Sequence, residues 1–304
     1  MSERGWEKMG LIFRPAGDLA WMASHAALPL VYAPGGRWLR VYCCGRDVRQ
    51  RSRIGFFELK LSDPPEVRMT SEEPVLDIGS LGAFDDSGVT PGSIVRTGDR
   101  VYLYYTGWSL GVTVPFYFAI GLAESRDGGA SFRRVSIAPV LGRTQVDPYL
   151  TASPAVLVEN GRWRMWYVSG REWRLEQGLA KHYYHIRYAE SDDGVKWNPS
   201  GRVCVDFASS DEFAFGRPWV LRDAGIYRMW YSYRGQRYRI GYAESLDGLV
   251  WNRKDDRAGI GTSEDGWDSE MVTYPVVFDH DGRRYMLYNG NGYGASGIGL
   301  ARAS

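Results

Sequence analysis

Short runs of aromatic and β-branched residues recur along the chain with a period of about sixty residues. In each copy, a strand centred on a proline leads through a turn containing glycine into an aromatic strand that ends in small or polar residues. The aromatic strands cover residues 38–42, 101–105, 163–167, 227–231 and 285–288. The prolines are 62, 63, 64 and 57 residues apart by subtraction and are Pro29, Pro91, Pro154, Pro218 and Pro275. Strand repeats of this length predict a β-propeller with one blade per repeat.

The middle repeats share a second signature after the aromatic strand. Residues 125–128, 191–194 and 245–248 each read Ser-x-Asp-Gly and follow a run of alternating strand residues. An aromatic residue comes a few positions later in each copy, at Phe132, Trp197 and Trp251. This pattern predicts a hairpin turn in which the Asp and Ser side chains bond the local backbone. We expect the aromatic side chain to pack between blades.

The fifth repeat lacks a strand, and the N-terminal segment supplies one that belongs to no repeat. The fifth repeat stops after the run 297–302, which supplies a third strand and no fourth, while residues 9–13 form a strand that belongs to no repeat. Pairing these two strands would remove exposed sheet edges. We therefore expect an all-β fold, a single five-bladed β-propeller closed by the N-terminal strand. Residues 1–304 should form one domain, since five blades of about 60 residues use the whole chain.

Composition limits the classes of partner and compartment. With 37 Lys and Arg against 36 Asp and Glu, the chain lacks the basic field that nucleic acid or an anionic membrane requires, so we expect neither partner. Residues 1–10 are polar and unlike a signal peptide. The three cysteines are the adjacent Cys43 and Cys44 and the distant Cys204, an odd and sparse count that forms no disulfide framework and favours the cytoplasm. The uncharged stretch 101–123 is long enough for a membrane helix, but the repeat assigns it to two strands joined by an apolar loop.

The repeat also locates the functional face. In an up-and-down blade, the inner strand starts on the face where the second strand ends, so residues before the prolines and residues after the aromatic strands should share one mouth. Carboxylates, arginines and aromatic rings around a concave mouth suit a polar or anionic ligand with many hydroxyls, because rings stack on sugars and arginine forks bind carboxylate or phosphate. We expect the apolar loop 112–118 to lie beside this mouth and to narrow it.

Within this face, Asp86 and Glu270 each lie five residues before their proline, which puts them at the same depth around the axis. We predict that both are catalytic and that His25 of repeat one lies between them. The predicted substrate-binding residues are Asp85, Arg46, Trp108, Arg171, Arg217, Arg234, Tyr274 and Asn289. No metal site is expected, because His182 and His185 would face opposite ways on a strand and no Cys/His cluster has ligand spacing. No cofactor is expected, and the chain has no glycine loop of the kind that cradles phosphate.

Structural roles remain open for several of these residues. Glu270 could instead ion-pair with a neighbour such as Arg217, and Arg46 and Arg234 could ion-pair with nearby aspartates. A repeated carboxylate is more typical of a scaffold than of a catalyst. The carboxylates seven residues before a proline, which we expect to be structural, are Asp147, Asp211 and Asp268.

These tyrosine-rich strand pairs resemble the five-bladed propeller superfamily of arabinanases, invertases, levansucrases and mannoside phosphorylases, glycoside hydrolase families 43, 32, 68 and 130 in character. The runs 84–89, 107–116 and 267–271 look most like a bacterial hydrolase-like subgroup linked to sugar pathways. The resemblance implies that hydrolytic members carry an Asp before the first proline, another Asp in a later blade and a Glu two before the fourth proline. In this chain those positions hold Leu28, Ser153 and Gly216.

We interpret the protein as a carbohydrate-active, glycoside hydrolase-like enzyme that acts on a glycosidic or glycosyl-ester bond in a central funnel with relocated carboxylates. One alternative is a non-hydrolytic biosynthetic enzyme for a sugar-containing or anionic small molecule, with His25 as base and arginines as an anion clamp. Another is a sugar-binding propeller without catalysis. In each case the expected partner is a small-molecule or oligosaccharide ligand.

Overall fold

The computed structural model describes residues 5–304. Regular structure in this part of the chain is β-strand except for three short 3-10 helices, at Ala20–Met22, Asp255–Arg257 and Asn291–Gly294. The predicted all-β class is therefore confirmed.

The first strand, β1 (Trp6–Phe13), precedes the repeats. Repeat one forms β2 (Ser24–Tyr32), β3 (Leu39–Arg46), β4 (Ser52–Lys60) and β5 (Glu66–Thr70). Repeat two forms β6 (Gly88–Thr97), β7 (Arg100–Leu110), β8 (Phe116–Ser125) and β9 (Arg133–Arg134). Repeat three forms β10 (Thr151–Glu159), β11 (Arg162–Glu176), β12 (Leu179–Ser191) and β13 (Asn198–Val205). Repeat four forms β14 (Ala214–Asp223), β15 (Ile226–Arg234), β16 (Tyr238–Ser245) and β17 (Asn252–Arg253). Repeat five forms β18 (Thr273–His280), β19 (Arg283–Asn289) and β20 (Ile298–Ala303).

Antiparallel neighbours along the chain build the sheets. Repeats three and four each form a four-stranded sheet, and β1 completes a third in the order β1-β20-β19-β18. Trp6 lies opposite Ala303 in that sheet, so the N-terminal strand pairs with the last repeat as the sequence predicted. Repeats one and two belong to one eight-stranded sheet.

The two halves of the eight-stranded sheet meet at one parallel pair, Ser52 and Gly88. The indole nitrogen of Trp108 donates a 2.9 Å hydrogen bond to the Ser52 hydroxyl beside this junction. A Cβ atom on Gly88 would overlap both the indole and that hydroxyl. Glycine is therefore required here by the close approach of the two halves.

The proline-centred strands are the inner strands of the fold. They contact one another in the order β2, β6, β10, β14 and β18, and β18 in turn contacts β2. Each pairs irregularly with its neighbour at the proline, which marks a β-bulge. Four residues directly before these prolines adopt left-handed backbone, with φ of 54°, 48°, 46° and 56°, at Leu28, Ser153, Arg217 and Tyr274. This conformation costs a residue with a side chain on the order of 1 kcal/mol or more, so the surrounding fold must impose it.

The Ser-x-Asp-Gly segments form the predicted turns. In the turn of repeat four, the Asp247 carboxylate accepts 2.8 and 2.9 Å hydrogen bonds from the backbone N–H groups of Leu249 and Val250. The glycine carbonyl then bonds the preceding repeat, since Trp166 donates a 2.7 Å hydrogen bond to Gly248. Tyr104 reaches the corresponding turn of repeat three in the same way, with a 2.6 Å bond to Gly194. The turns therefore join consecutive repeats.

Buried carboxylates anchor the second strands. Asp147 is fully buried and accepts hydrogen bonds of 2.8 Å from Tyr167 and 2.7 Å from Ser169. Asp268 is likewise buried and accepts a 2.9 Å bond from Tyr288. The structural roles expected for Asp147 and Asp268 are thus observed.

The third repeated carboxylate, Asp211, is exposed and does not take part in this arrangement. Tyr231, the matching tyrosine of repeat four, donates instead to Asp255, which follows the last strand of that repeat.

The uncharged stretch 101–123 forms most of β7 and β8 and the loop between them, as predicted. None of the helices within residues 5–304 has the length and hydrophobicity needed to cross a membrane.

Candidate functional site

A cavity of about 490 Å³ opens where the inner strands meet. Repeats two and three supply one side of it, the aromatic wall, which consists of Trp108, Phe116, Phe118, His182 and Tyr184. Repeats one, four and five supply the other side, the arginine wall, which consists of Arg46, Arg234, Tyr238, Tyr274 and Tyr293. Cavities of this size with apolar walls and a few polar groups are typical of small-molecule sites.

The aromatic wall is a set of rings packed on one another. Phe116 stacks on Phe118 with ring centroids 4.3 Å apart, and it meets Trp173 edge-on at 5.2 Å. His182 stacks on Tyr184 at 4.2 Å. Because Phe116 and Phe118 line the cavity, the end of the loop 112–118 lies beside the mouth, as the sequence predicted. Val112, at the tip of that loop, is fully exposed and packs on nothing.

The arginine wall holds Arg234 among aromatic rings. Its guanidinium carbon lies 5.1 Å from the ring centre of Phe213, 5.5 Å from that of Tyr238 and 5.8 Å from that of Tyr293. The side chain of Arg46 reaches the same wall from the end of β3. Within the described part of the chain, neither arginine forms an ion pair with a carboxylate. The aspartate partners that the sequence left open for them are not found there.

The histidines near the cavity are neutral at neutral pH. Burial, with help from the nearby charges of Arg234 and Lys181, lowers the pKa of His182 to about 4. Burial and the charge of Arg46 likewise lower the pKa of His25 to about 4. The hydroxyl of Tyr184 is buried and has no hydrogen-bond partner among residues 5–304, and burial raises its pKa. The cavity therefore offers neutral hydrogen-bonding groups beside two fixed positive charges.

Four of the predicted site residues line the cavity together: Arg46, Trp108, Arg234 and Tyr274. The three predicted catalytic residues, Asp86, Glu270 and His25, do not line it.

Asp86 accepts hydrogen bonds from its own loop, 3.0 Å from the Gly82 N–H and 2.9 Å from the Ser87 hydroxyl. Glu270 forms a 2.6 Å ion pair with Arg237, and both side chains are more than half exposed. The neighbour that pairs with Glu270 is thus Arg237, whereas the sequence had suggested Arg217. His25 contacts the Ser24 hydroxyl at 3.0 Å. The side chains of the two carboxylates are thus engaged by other partners, Asp86 by its own loop and Glu270 by Arg237.

Two of the remaining predicted binding residues support the fold. Asp85 is fully buried, where Tyr105 donates a 3.0 Å hydrogen bond to it and Arg134 forms a 2.7 Å ion pair. Asn289 is also fully buried and bonds the backbone of Leu28 at 2.9 Å. The observed roles of Asp85 and Asn289 differ from the predicted role in substrate binding because their partners lie on strands that are distant in the sequence.

The other two are arginines that do not line the cavity. Arg171 lies on the surface 3.5 Å from the Asp206 carboxylate. Arg217 is completely buried near the axis, where it donates hydrogen bonds to the carbonyl oxygens of Pro29 and Pro91.

Several cavity residues were not among the predicted site residues. His182, Tyr184 and Tyr238 lie near the starts of third strands, β12 and β16, which face the mouth because the preceding loop does. That topology was available from the repeat and could have identified them. Tyr293 comes from a 3-10 helix that no repeat predicted.

The three positions at which the resemblance expects carboxylates all line the cavity, and they are Leu28, Ser153 and Gly216. Among the described residues, none of those that line the cavity is an aspartate or a glutamate. No group of three or more His, Cys, Asp or Glu side chains suited to holding a metal ion occurs in residues 5–304.

The fold is similar to solved glycoside hydrolases. The protein BT0996, solved as a complex with RGII, has a TM-score of 0.73 at 17% identity, over 99% of this chain and 91% of its own. A thermostable family-43 glycoside hydrolase has a TM-score of 0.65 at 16% identity, over 94% and 90% of the two chains. A protein from the GH130 family of mannoside phosphorylases, described as containing glycoside hydrolases that target β-1,2 mannosidic linkages in Candida mannan, has a TM-score of 0.68 at 16% identity over 98% and 93%. The chain thus has the β-propeller fold of these glycoside hydrolases, as the sequence resemblance implied.

No protein-family model matches the chain. The uncharacterized protein Rv1502 of Mycobacterium tuberculosis strain H37Rv is 48% identical over 296 residues, which cover 97% of this chain and 98% of that protein. The uncharacterized protein MT1551 of strain CDC 1551 matches with the same identity and coverage. The chain belongs to the family of Rv1502.

Proposed function

We propose that this protein is a glycoside hydrolase-like propeller that binds a carbohydrate in its central cavity without hydrolysing it through a carboxylate pair. The observation that carries the proposal is the identity of three residues that line the cavity: Leu28, Ser153 and Gly216. Glycoside hydrolysis needs one carboxylic acid to protonate the leaving oxygen and a second carboxylate to attack or to activate water. Leucine, serine and glycine can do neither.

The aromatic wall supports a carbohydrate as the ligand. Sugar rings have apolar faces that stack on aromatic side chains, and the Phe116, Phe118 and Trp108 rings are partly exposed in the cavity. The fold neighbours are glycoside hydrolases, and one of the similar structures is a complex with RGII.

We further propose that the architecture is a single domain of five blades, closed by β1. The two halves of the eight-stranded sheet would then be separate blades that share one parallel pair at Ser52 and Gly88. The circular order of contacts among the inner strands and the pairing of β1 with β20 support this arrangement. Three free, buried cysteines favour a cytoplasmic location.

Hydrolysis by the relocated carboxylates Asp86 and Glu270 is a second candidate. It is favoured by the position of Asp86, next to Ser87, whose N–H bonds the carbonyl oxygen of the cavity residue Trp108 at 3.1 Å. Its weakness is that Glu270 is engaged by Arg237 in solvent. On this second account, His25 would be the proton-transfer partner.

One experiment separates the two candidates. Purified protein is incubated with a panel of oligosaccharides, binding is measured by calorimetry, and release of products is followed by chromatography. The proposal predicts binding without products, and it predicts that Phe116→Ala weakens binding about tenfold, given the usual energy of an aromatic contact. Leu110→Ala, an exposed residue of β7, is the matched control and should bind as the wild type does.

Turnover that falls by about 100-fold in Glu270→Gln or Asp86→Asn would instead establish hydrolysis by the relocated carboxylates, since acid–base catalysis contributes that much. Binding that is unaffected by Phe116→Ala would show that the ligand lies outside the cavity.

A further inference from the structure

We propose that the carbohydrate bound in this cavity carries an anionic group, a carboxylate or a phosphate, and that the arginine wall binds it. The inference rests on the proposed function, because it assigns a chemical class to the ligand of the same cavity.

The charge of the cavity differs from that of the chain. The chain as a whole is almost balanced, with 37 basic against 36 acidic side chains. The cavity lining is not: within the described part of the chain it contains Arg46 and Arg234 and no carboxylate. Low-dielectric walls around charges of one sign focus their field into the cleft. An anionic ligand would gain from this field, and a neutral one would not.

These two arginines are free to bind a ligand. Two arginines outside the lining are neutralised, Arg171 by Asp206 at 3.5 Å and Arg237 by Glu270 at 2.6 Å. Arg234 is held by the rings of Phe213, Tyr238 and Tyr293, which fix its position and leave its charge uncompensated. A fixed guanidinium loses little freedom when it binds a carboxylate or phosphate with its two parallel N–H groups.

A further positive charge, that of Arg217, lies close to the lining residues Cys44 and Tyr274. Arg217 follows the lining residue Gly216, is completely buried, and forms no ion pair among residues 5–304. Its N–H groups bond the carbonyl oxygens of Pro29 and Pro91, and its Nε has no partner in the described chain. Burial lowers the pKa of this guanidinium to about 9, so it remains protonated at neutral pH. Its field adds to that of the arginine wall.

The hydroxyl of Tyr184 favours a sugar as the part of the ligand that lies beside the aromatic wall. Tyr184 lines the cavity with a buried hydroxyl that has no hydrogen-bond partner within residues 5–304. A buried polar group without a partner costs roughly 1 to 3 kcal/mol, so a ligand that supplies the partner gains affinity. A sugar hydroxyl beside the aromatic wall would satisfy it, while the acidic group lies at the arginine wall.

Two substitutions at Gly216 that differ only in charge can test whether the ligand is anionic. A Cβ atom at this position would meet only ordinary contacts, 3.8 Å from Ser232 and from Tyr274, and its φ is not in the left-handed region. Gly216→Glu and Gly216→Gln would therefore add side chains of nearly equal size, of which only the first is charged. A glutamate there would occupy the arginine wall and repel an anionic ligand.

The experiment measures binding by calorimetry with D-glucuronate, D-galacturonate and D-glucose 1-phosphate as acidic probes. D-glucose and D-galactose are the neutral probes, and inorganic phosphate tests the anion alone. We expect at least one acidic probe to bind the wild type about tenfold more tightly than its neutral counterpart. Uronates and the sugar phosphate form separate arms, so the result also identifies which acidic group is preferred.

For that probe, Gly216→Glu should weaken binding at least about tenfold more than Gly216→Gln, and Arg46→Gln and Arg234→Gln should each weaken it by a larger factor than they weaken binding of the neutral counterpart. Equal affinities of acidic and neutral probes, or equal effects of Gly216→Glu and Gly216→Gln, would overturn the inference while leaving a carbohydrate site in place. Binding of inorganic phosphate as tight as that of the sugar phosphate would also overturn it as a statement about carbohydrates. If no sugar probe binds at about 10 mM, the inference fails, and if no oligosaccharide of the panel binds either, the proposed function fails as well.

Discussion

The guanidinium of Arg217 donates a 2.6 Å hydrogen bond to the carbonyl oxygen of Pro29, although the two residues belong to repeats four and one. A second bond from the same guanidinium reaches the carbonyl oxygen of Pro91 in repeat two. Both carbonyls lie at the inner-strand bulges, where pairing between strands cannot supply a hydrogen-bond partner for every backbone group. One buried side chain therefore ties three repeats together near the axis.

Replacing Arg217 by methionine should destabilise the protein. The methionine would fill much of the space, but the carbonyls of Pro29 and Pro91 would lose their donors at a cost of roughly 1 to 3 kcal/mol each. We expect the melting temperature to fall by several degrees. In a protein of this size, each loss of about 1 kcal/mol in unfolding free energy lowers the melting temperature by at most roughly 2 to 4 °C. Arg222→Met, on the same strand but half-exposed, is the control and should melt as the wild type does. Equal melting temperatures of the Arg217 variant and the wild type would refute this role.

Two aspartates at equivalent sequence positions should behave differently. Asp147 and Asp211 each lie seven residues before the proline of their repeat. Asp147 is buried against Tyr167 and Ser169 and lies 3.3 Å from the Arg187 guanidinium, whereas Asp211 is exposed. Asp147→Ala should cost roughly 3 kcal/mol in denaturant unfolding, because it leaves Arg187 without its buried partner. Asp211→Ala should change the unfolding free energy by less than about 0.5 kcal/mol. Similar losses in the two variants would contradict the structural assignment.

His182 should make the protein less stable as the pH falls below neutral. Its pKa is lowered to about 4 in the folded protein by burial and by Arg234. An unfolded histidine titrates near pH 6.5. Between these values the unfolded chain binds a proton that the folded chain does not, so stability is complete above about pH 6.5 and declines toward pH 4.

In His182→Phe, which keeps a ring against Tyr184, this part of the decline should disappear. We expect the difference in unfolding free energy between the two proteins to change by roughly 2 kcal/mol between pH 6.5 and pH 4.5. The comparison requires denaturant titrations at several pH values. Parallel pH profiles would show that His182 titrates normally in the folded state.

Removing the N-terminal strand should expose the edge of β20. A protein lacking residues 1–14 loses the pairing of β1 with β20 and the stacking of Phe13 on Phe57, whose ring centroids are 4.2 Å apart. It also loses the 3.0 Å hydrogen bond from the Trp6 indole to Ala258. We expect a melting temperature lower by about 10 °C and a greater tendency to aggregate, since an unpaired strand is a template for further pairing. A truncated protein that melts and remains soluble like the full chain would contradict this.

The strands and turns of this protein are predictable from its sequence because they depend on local signals that recur. The Ser-x-Asp-Gly turns, the aromatic second strands and the pairing of the N-terminal strand with the last repeat all follow from such signals. The candidate site was predicted less well. Arg46, Trp108, Arg234 and Tyr274 line the cavity, but Asp85 and Arg171 are engaged by Arg134 and Asp206, partners that lie about 35 to 50 residues further along the chain.

Backbone geometry explains the other differences. Four of the five residues before the prolines adopt left-handed conformations at bulges, which no pattern of polar and apolar residues reveals. Ser153 and Tyr274 thereby line the cavity, while Arg217, in the same conformation, is buried near the axis. Counting residues from a proline put Asp86 and Glu270 at one depth, but the loops that carry them are of different sequence and hold them by different partners, Ser87 and Arg237.

The most direct test of the account is a crystal structure of the protein soaked with the acidic sugar probe that binds it most tightly. We predict that the sugar ring lies against Phe116 or Trp108, and that the acidic group lies within hydrogen-bonding distance of the guanidinium of Arg46 or Arg234. A sugar bound between Asp86 and Glu270, with the cavity unoccupied, would contradict the account and favour hydrolysis by relocated carboxylates.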